Sequence, residues 1–114
     1  MSRVAVLVLA LAACGPEVVT SEHRAAAQTI WKERCSTCHG QFGRGDGPGA
    51  KLLMVKPRDF SDRHWKDQAD DARIAQTIVE GGLAVGLDSN MAANPDLRKK
   101  PEVVQALVEI VRGW

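Results

Sequence analysis

Tyrosine is missing from this 114-residue chain, and aromatic residues of every kind make up only 4% of it, three tryptophans and two phenylalanines. So short a chain buries a smaller share of its surface than a large one. With few rings to fill a core, it needs an added source of stabilisation, and a large buried cofactor would supply it. Charge of one sign is lacking as well: fifteen Lys and Arg face fourteen Asp and Glu, so no strongly basic patch argues for nucleic acid. Period-two alternation of the kind that marks strands is also absent, which leaves an all-α reading. Composition, 45% hydrophobic and 25% charged, is that of one small soluble globular domain.

Long apolar runs are scarce, and the one present has a special position. Arg3 is followed by an unbroken apolar stretch from Val4 to Ala13, with Cys14 after it. Ten residues fall well short of the ~20 that cross a bilayer as a helix. The pattern reads as an export signal over residues 1–13. The stretch Leu11-Ala12-Ala13-Cys14 resembles the bacterial lipobox, which implies cleavage before Cys14 and a diacylglyceryl group on its thiol. An ordinary signal peptide cut nearby is the plainer alternative. Loss of residues 1–13 removes one basic residue, Arg3, and makes the mature chain formally neutral. Residues 14–20 form the lipidated cysteine and a short tether opened by Gly15 and Pro16, and the globular domain runs over 21–114. Export places the protein in the periplasm or another extracytoplasmic space, held to a membrane through Cys14. There an unprotected thiol pair tends to oxidise unless something consumes it.

Such a pair exists. The segment CSTCHG puts Cys35 and Cys38 three positions apart with His39 directly after. Cys-x-x-Cys can be a redox dithiol, half of a zinc site or, with His appended, a covalent haem attachment sequence. A dithiol of the thioredoxin kind expects a βαβ pattern, which the chain lacks. A structural zinc ion usually takes four protein ligands, and adjacent Cys38 and His39 would have difficulty sharing one tetrahedral ion. Haem thioethers consume both sulfurs permanently.

The flanking sequence organises around this point. Ser21 is the expected N-cap of a helix carrying Ala27, Ile30, Trp31 and Arg34 toward the cysteines. Five glycines and a proline between Gly40 and Gly49 make a loop able to press its backbone against a flat surface. Residues 50–67 read as irregular structure with short turns, in which Met54, after Leu52 and Leu53, has the context of a packing residue. Asp70 or Asp71 caps a helix with Ile74, Ile78 and Val79 inward, ended by Gly81-Gly82. Leu83 to Asn94 is a second loop. Pro101 opens a last helix with Val103, Leu107, Ile110, Val111 and Trp114 on one face. Loops this long are uncommon in a compact domain, but they make sense if they wrap a cofactor.

This order of parts resembles class I cytochrome c: a first helix running into Cys-x-x-Cys-His, a Gly-rich loop, a middle helix, a methionine-bearing loop and a last helix. "CHGQFGRGDGPGAKLL", "KPRDF" and "GGLAVGLDSNM" are similar to the longer patterns of bacterial members, and the resemblance covers residues 21–114. It implies a small all-α fold of three main helices and long loops around one covalent haem c. Cys35 and Cys38 are then the thioether positions and His39 the proximal iron ligand. Pro48 matches the proline whose carbonyl accepts a hydrogen bond from the proximal imidazole, an outer bond that orients the ring. Met91, in a polar Gly-containing loop, is the distal sulfur ligand. His23 and His64 are further nitrogen candidates, in charged segments where single histidines are usually solvated. Arg58 and Trp65 are candidates for haem propionates. Two departures stand out. Ala92 follows Met91 where proline is common, with Pro95 as a compensating residue, and the helix contact often made by a glycine and an aromatic falls on Gln28 and Ile110.

A haem with protein ligands on both faces has no open position for substrate, so the expectation is a single-electron carrier rather than an enzyme. The implied partners are redox proteins serving as donor and acceptor, and a membrane reached through a lipid anchor. A gas-binding haem sensor with a weak Met91, and a haem subunit of a larger oxidoreductase, are the alternatives.

Overall fold

The computed structural model describes residues 18–114, and helices account for its regular structure; no strand occurs among the described residues. The expected export signal and Cys14 lie outside the described residues. Helix α1 covers Ser21–Ile30. Its cap is Thr20, one residue before the expected Ser21: the Thr20 hydroxyl accepts the His23 N–H at 3.3 Å, and His23 Nδ1 accepts the Thr20 N–H at 3.2 Å. Two otherwise orphaned donors are thereby satisfied, and His23 is placed as a capping residue.

The chain stays helical through a widened π turn, Trp31–Cys35, and a last turn α2, Ser36–His39. In that turn the Ser36 N–H reaches back five residues to the Trp31 carbonyl. Single π turns of this kind often occur at functional sites. Here Trp31 enters the core at 5% exposure and Cys35 packs against the same cluster.

Helix α5, Pro101–Arg112, begins with its proline where a missing N–H costs nothing. Val103, Val104, Ala106, Leu107, Val108 and Val111 are buried along it. It lies against α1, and Ala27, fully buried, is the small residue at that seam. Gln28 is exposed and Ile110 only half-buried, so the contact expected at Gln28 and Ile110 falls one residue earlier on α1. A methyl side chain permits the close approach that the longer Gln28 would block. At the rim Arg24 grips Glu109 through Nε and Nη2 at 2.8 and 3.1 Å.

Two further helices complete the fold. Helix α3, Arg63–Gln68, replaces the irregular structure expected there. Asp62 caps it by accepting the His64 and Trp65 N–H groups at 3.0 and 3.3 Å. Helix α4, Asp71–Glu80, is capped by Asp70, which accepts the Arg73 N–H at 2.7 Å, and it buries Ile74 and Ile78. Arg112 of α5 ties these two together, donating to the Lys66 carbonyl at 2.7 Å, to Asp71 at 2.8 Å and to the Ala69 carbonyl. The long segments left over, 40–62 and 81–100, close around one side of the molecule.

Candidate haem site

Between those two loop segments lies a cavity of about 430 Å³, within the usual range for small-molecule and cofactor sites. Cys38 and His39 form part of one wall, and Met91 belongs to the same lining. Ile74 and Ile78 of α4 and Val111 of α5 supply apolar surface, and Leu53, Val55 and Leu87 come from the loops. A second void of about 30 Å³ touches Cys35, His39 and Met91. Trp31, whose buried indole N–H has no hydrogen-bond partner, also borders it.

The wall bearing His39 is built by the helix end and by the Gly-rich loop folded back over it. Gly47 is required by close approach: a Cβ there would stand 2.3 Å from the Thr37 carbonyl oxygen and 2.5 Å from that of Ser36. Its N–H bonds the Cys38 carbonyl at 3.1 Å, and the Gly45 N–H bonds that of His39 at 2.7 Å. The His39 ring stacks on Phe60, centroids 4.5 Å apart and planes inclined by 19°. Its Nδ1 lies 3.3 Å from the Arg58 carbonyl oxygen. Burial lowers the His39 pKa, and the Arg58 hydrogen bond opposes that shift; the ring is held neutral, the form that ligates metal. Burial pushes the Cys35 thiol up to about 11 despite the neighbouring Arg34. A reactive dithiol needs the opposite shift. No three His, Cys, Asp or Glu side chains group as a metal-holding set among the described residues.

Met91 is held by different means. Its carbonyl accepts the Gly82 N–H at 2.9 Å and its N–H reaches the Asp88 carbonyl at 3.3 Å. A Cβ on Gly82 would sit 2.0 Å from the Asp88 oxygen and 3.1 Å from Met91 Cβ. The Gly81-Gly82 pair therefore does more than end α4: it forms the groove in which this loop lies. Arg73 reaches from α4 to the Val85 carbonyl at 2.9 Å.

The remaining sequence candidates divide. Arg58 and Trp65 line the cavity, the guanidinium 5.9 Å from the indole centroid and 3.8 Å from Asp62. Pro48 is exposed and opens a 3₁₀ turn, Pro48–Leu52; the carbonyl facing His39 belongs to Arg58 instead. Met54 is 98% exposed, so the expected packing role fails, and the side chain is far too open to be a core filler. His64 is exposed beside Gln68. Phe60 was missed by sequence reasoning as a site residue, although it lies in the KPRDF segment singled out above.

These residues fit a haem. The cavity walls are apolar, an imidazole and a thioether sulfur share them, both cysteines stand beside His39, and Lys56, Arg58 and Arg73 border the opening, where carboxylate side groups of a macrocycle would find cations. An all-helical domain that closes its loops over a Cys-x-x-Cys-His helix end defines a haem-carrying protein. The chain belongs to the cytochrome c family: the family model "Cytochrome c" matches residues 24–112. The solved structure of KustC0563 c-type cytochrome is similar at 32% sequence identity with a TM-score of 0.57, the match covering 76% of this chain and 94% of that one. No curated protein matches the chain. Membership makes the fold that of cytochrome c, the cofactor one covalently bound haem c, and the activity haem-based electron transfer with redox partners. Domains of this family are typically extracytoplasmic, and among the described residues no helix is long and apolar enough to cross a membrane.

Proposed function

We propose that this chain is a membrane-anchored carrier of single electrons between respiratory or photosynthetic partners, in which His39 and Met91 would hold the haem iron. Cys35 and Cys38 form the thioethers, and the lipidated Cys14 holds the domain at the membrane. Bound haem c would supply a one-electron couple, and ligation by an imidazole and a thioether would raise its potential by favouring the reduced iron.

The protein's own groups perform the rest. The Arg58 carbonyl accepts the Nδ1 proton of His39, fixes the ring's rotation and leaves Nε2 free for metal. Phe60 restricts the ring from its face. Apolar side chains of α4 and α5 exclude water, which keeps the reorganisation that accompanies a change of charge small. Arg58 and Trp65, which line the cavity, would hold the haem carboxylates. Diacyl attachment confines exchange to a membrane surface, since two chains give stable anchoring at about 0.8 kcal/mol per buried methylene.

The observation that carries this reading is that Met91 shares the cavity lining with His39 and Cys38 while Met54 points into solvent. Met91→Ala is expected to keep the covalent haem, abolish the near-infrared sulfur-to-ferric-iron absorption, lower the potential and admit carbon monoxide to the ferrous iron. Met54→Ala should change none of these. A wild-type protein that lacks the band and binds carbon monoxide would instead be a ligand-binding module. The anchor is checked separately, by acyl mass on Cys14 and by detergent partitioning of the mature protein.

A further inference from the structure

Three residues beyond Met91, Asn94 uses every polar group it has. Its N–H donates to the Val79 carbonyl at 2.9 Å and its side-chain Nδ2 to the Ile78 carbonyl at 2.8 Å. Both acceptors belong to the last turn of α4, whose final carbonyls have no partner within the helix. The Gly81 N–H takes the Thr77 carbonyl at 3.0 Å, so Asn94 completes the helix end from sixteen positions away. Its own carbonyl accepts the Leu97 N–H at 3.0 Å.

The fourth group points elsewhere. Asn94 Oδ1 accepts from Arg34 Nη1 at 3.2 Å, and the same guanidinium forks onto Asp96 at 2.9 and 3.1 Å. Arg34 directly precedes Cys35. One arginine on the haem-attachment helix thus holds two residues of the segment leaving Met91, and Asn94 joins that segment to α4, whose Thr77 and Ile78 line the cavity. Exposed ion pairs taken singly contribute little, but a bidentate fork inside a network is the case in which they do more.

We infer that Arg34 and Asn94 form a cross-tie that positions Met91, fixing the exit of the distal loop against both the Cys35 helix and the end of α4. The inference rests on the assignment of Met91 as axial ligand. It gives a physical substitute for the proline absent after Met91: with Ala92 and Ala93 supplying no side-chain hydrogen bond, the nearest restraint beyond the methionine is Asn94. Neither member lines the cavity, so both act through the loop.

The test uses the full-length holoprotein. Asn94→Asp keeps an oxygen for Arg34 but sets a carboxylate, in place of an amide donor, against the α4 carbonyls. Loss of that part-buried donor is expected to raise the population of sulfur-free iron about tenfold, read as a weaker near-infrared band, faster carbon monoxide binding and a lower potential. Arg34→Gln, a milder change should Asn94→Asp fold poorly, is expected to move the same three readings by a smaller factor. The double variant should do little more than Asn94→Asp alone, because coupled residues are not additive. Covalent haem mass and the folded far-ultraviolet spectrum should persist throughout. If both single variants melt at lower temperature yet keep the wild-type band, potential and carbon monoxide resistance, the residues are merely structural and the inference is overturned. Fully additive effects would likewise refute a shared tie. A wild type without a sulfur band overturns the ligand assignment first and the tie with it, an outcome distinct from a normal wild-type band that ignores both substitutions.

Discussion

The two walls of the haem cavity are held in opposite ways. On the His39 side, both cysteines and the histidine fall within five consecutive residues of one helix end, and that helix is seated by Ala27 and Trp31 in the core. On the Met91 side a single side chain rises from a loop, fixed by backbone contacts to Gly82, by Arg73 and by Asn94. The first arrangement needs tertiary structure only to support it. The second is made by tertiary structure, since its restraints come from α4 and from a helix some sixty positions away. Covalent adjacency is robust to local damage, whereas a loop held by a few hydrogen bonds opens at low cost. The Met91 side should therefore yield first when the site is perturbed.

The contrast can be broken most severely at the cysteines. Cys35→Ser combined with Cys38→Ser is expected to abolish covalent haem, seen as loss of the haem mass from the polypeptide, and to leave the chain largely unfolded by far-ultraviolet circular dichroism. The long loops then have no cofactor to wrap. A double variant that keeps native helicity would show that α1 and α5 sustain the domain without the cofactor.

A smaller effect should sharpen the difference. Gly82→Ala forces a methyl group onto the Asp88 carbonyl and Met91, an overpacking that costs about 1–3 kcal/mol. The prediction is a weakened sulfur-to-iron band with covalent haem and the Arg58-oriented His39 retained. An unchanged band alongside a lowered melting temperature would mean that the Met91 loop is not the softer wall.

The smallest effect concerns the seam between α1 and α5. The Arg24 guanidinium, by hydrogen bond and then by charge, holds the Glu109 carboxyl below its usual range. A carboxylate with a lowered folded pKa stabilises the protein above its ordinary pKa, and that contribution vanishes as pH falls through the lowered value. Glu109→Gln should thus destabilise slightly at neutral pH and converge with wild type in acid, checked by thermal melts across pH. Both partners are substantially exposed, so added salt should shrink the difference further.

Much of the first wall was legible because its chemistry is local. The Cys35-x-x-Cys38-His39 spacing, a cap at Asp70 or Asp71, the Gly81-Gly82 terminus and the Pro101 start each depend on residues a few positions apart, which a linear reading sees. The failures share the opposite cause. Thr20 and Ser21 are both hydroxyl residues, and only the His23 reciprocal bond selects Thr20. Gln28 and Ala27 differ by one register step that the packing against α5 decides. Met54 sits in an apolar run, yet its side chain points outward because its neighbours Leu53 and Val55 face the cavity. Asp62 could be seen as a cap only by expecting a helix as short as α3.

By itself the sequence determined that this is a helical, haem-attaching chain, because helix caps, apolar spacing and the Cys-x-x-Cys-His run are properties of neighbouring residues. Tertiary structure alone decided which carbonyl faces His39, Arg58 rather than Pro48, why two consecutive glycines follow α4, and how Arg34 and Asn94 brace the loop of Met91. Each of those depends on distances between segments far apart in the chain, and such distances are fixed only when the helices pack and the loops close over the cavity.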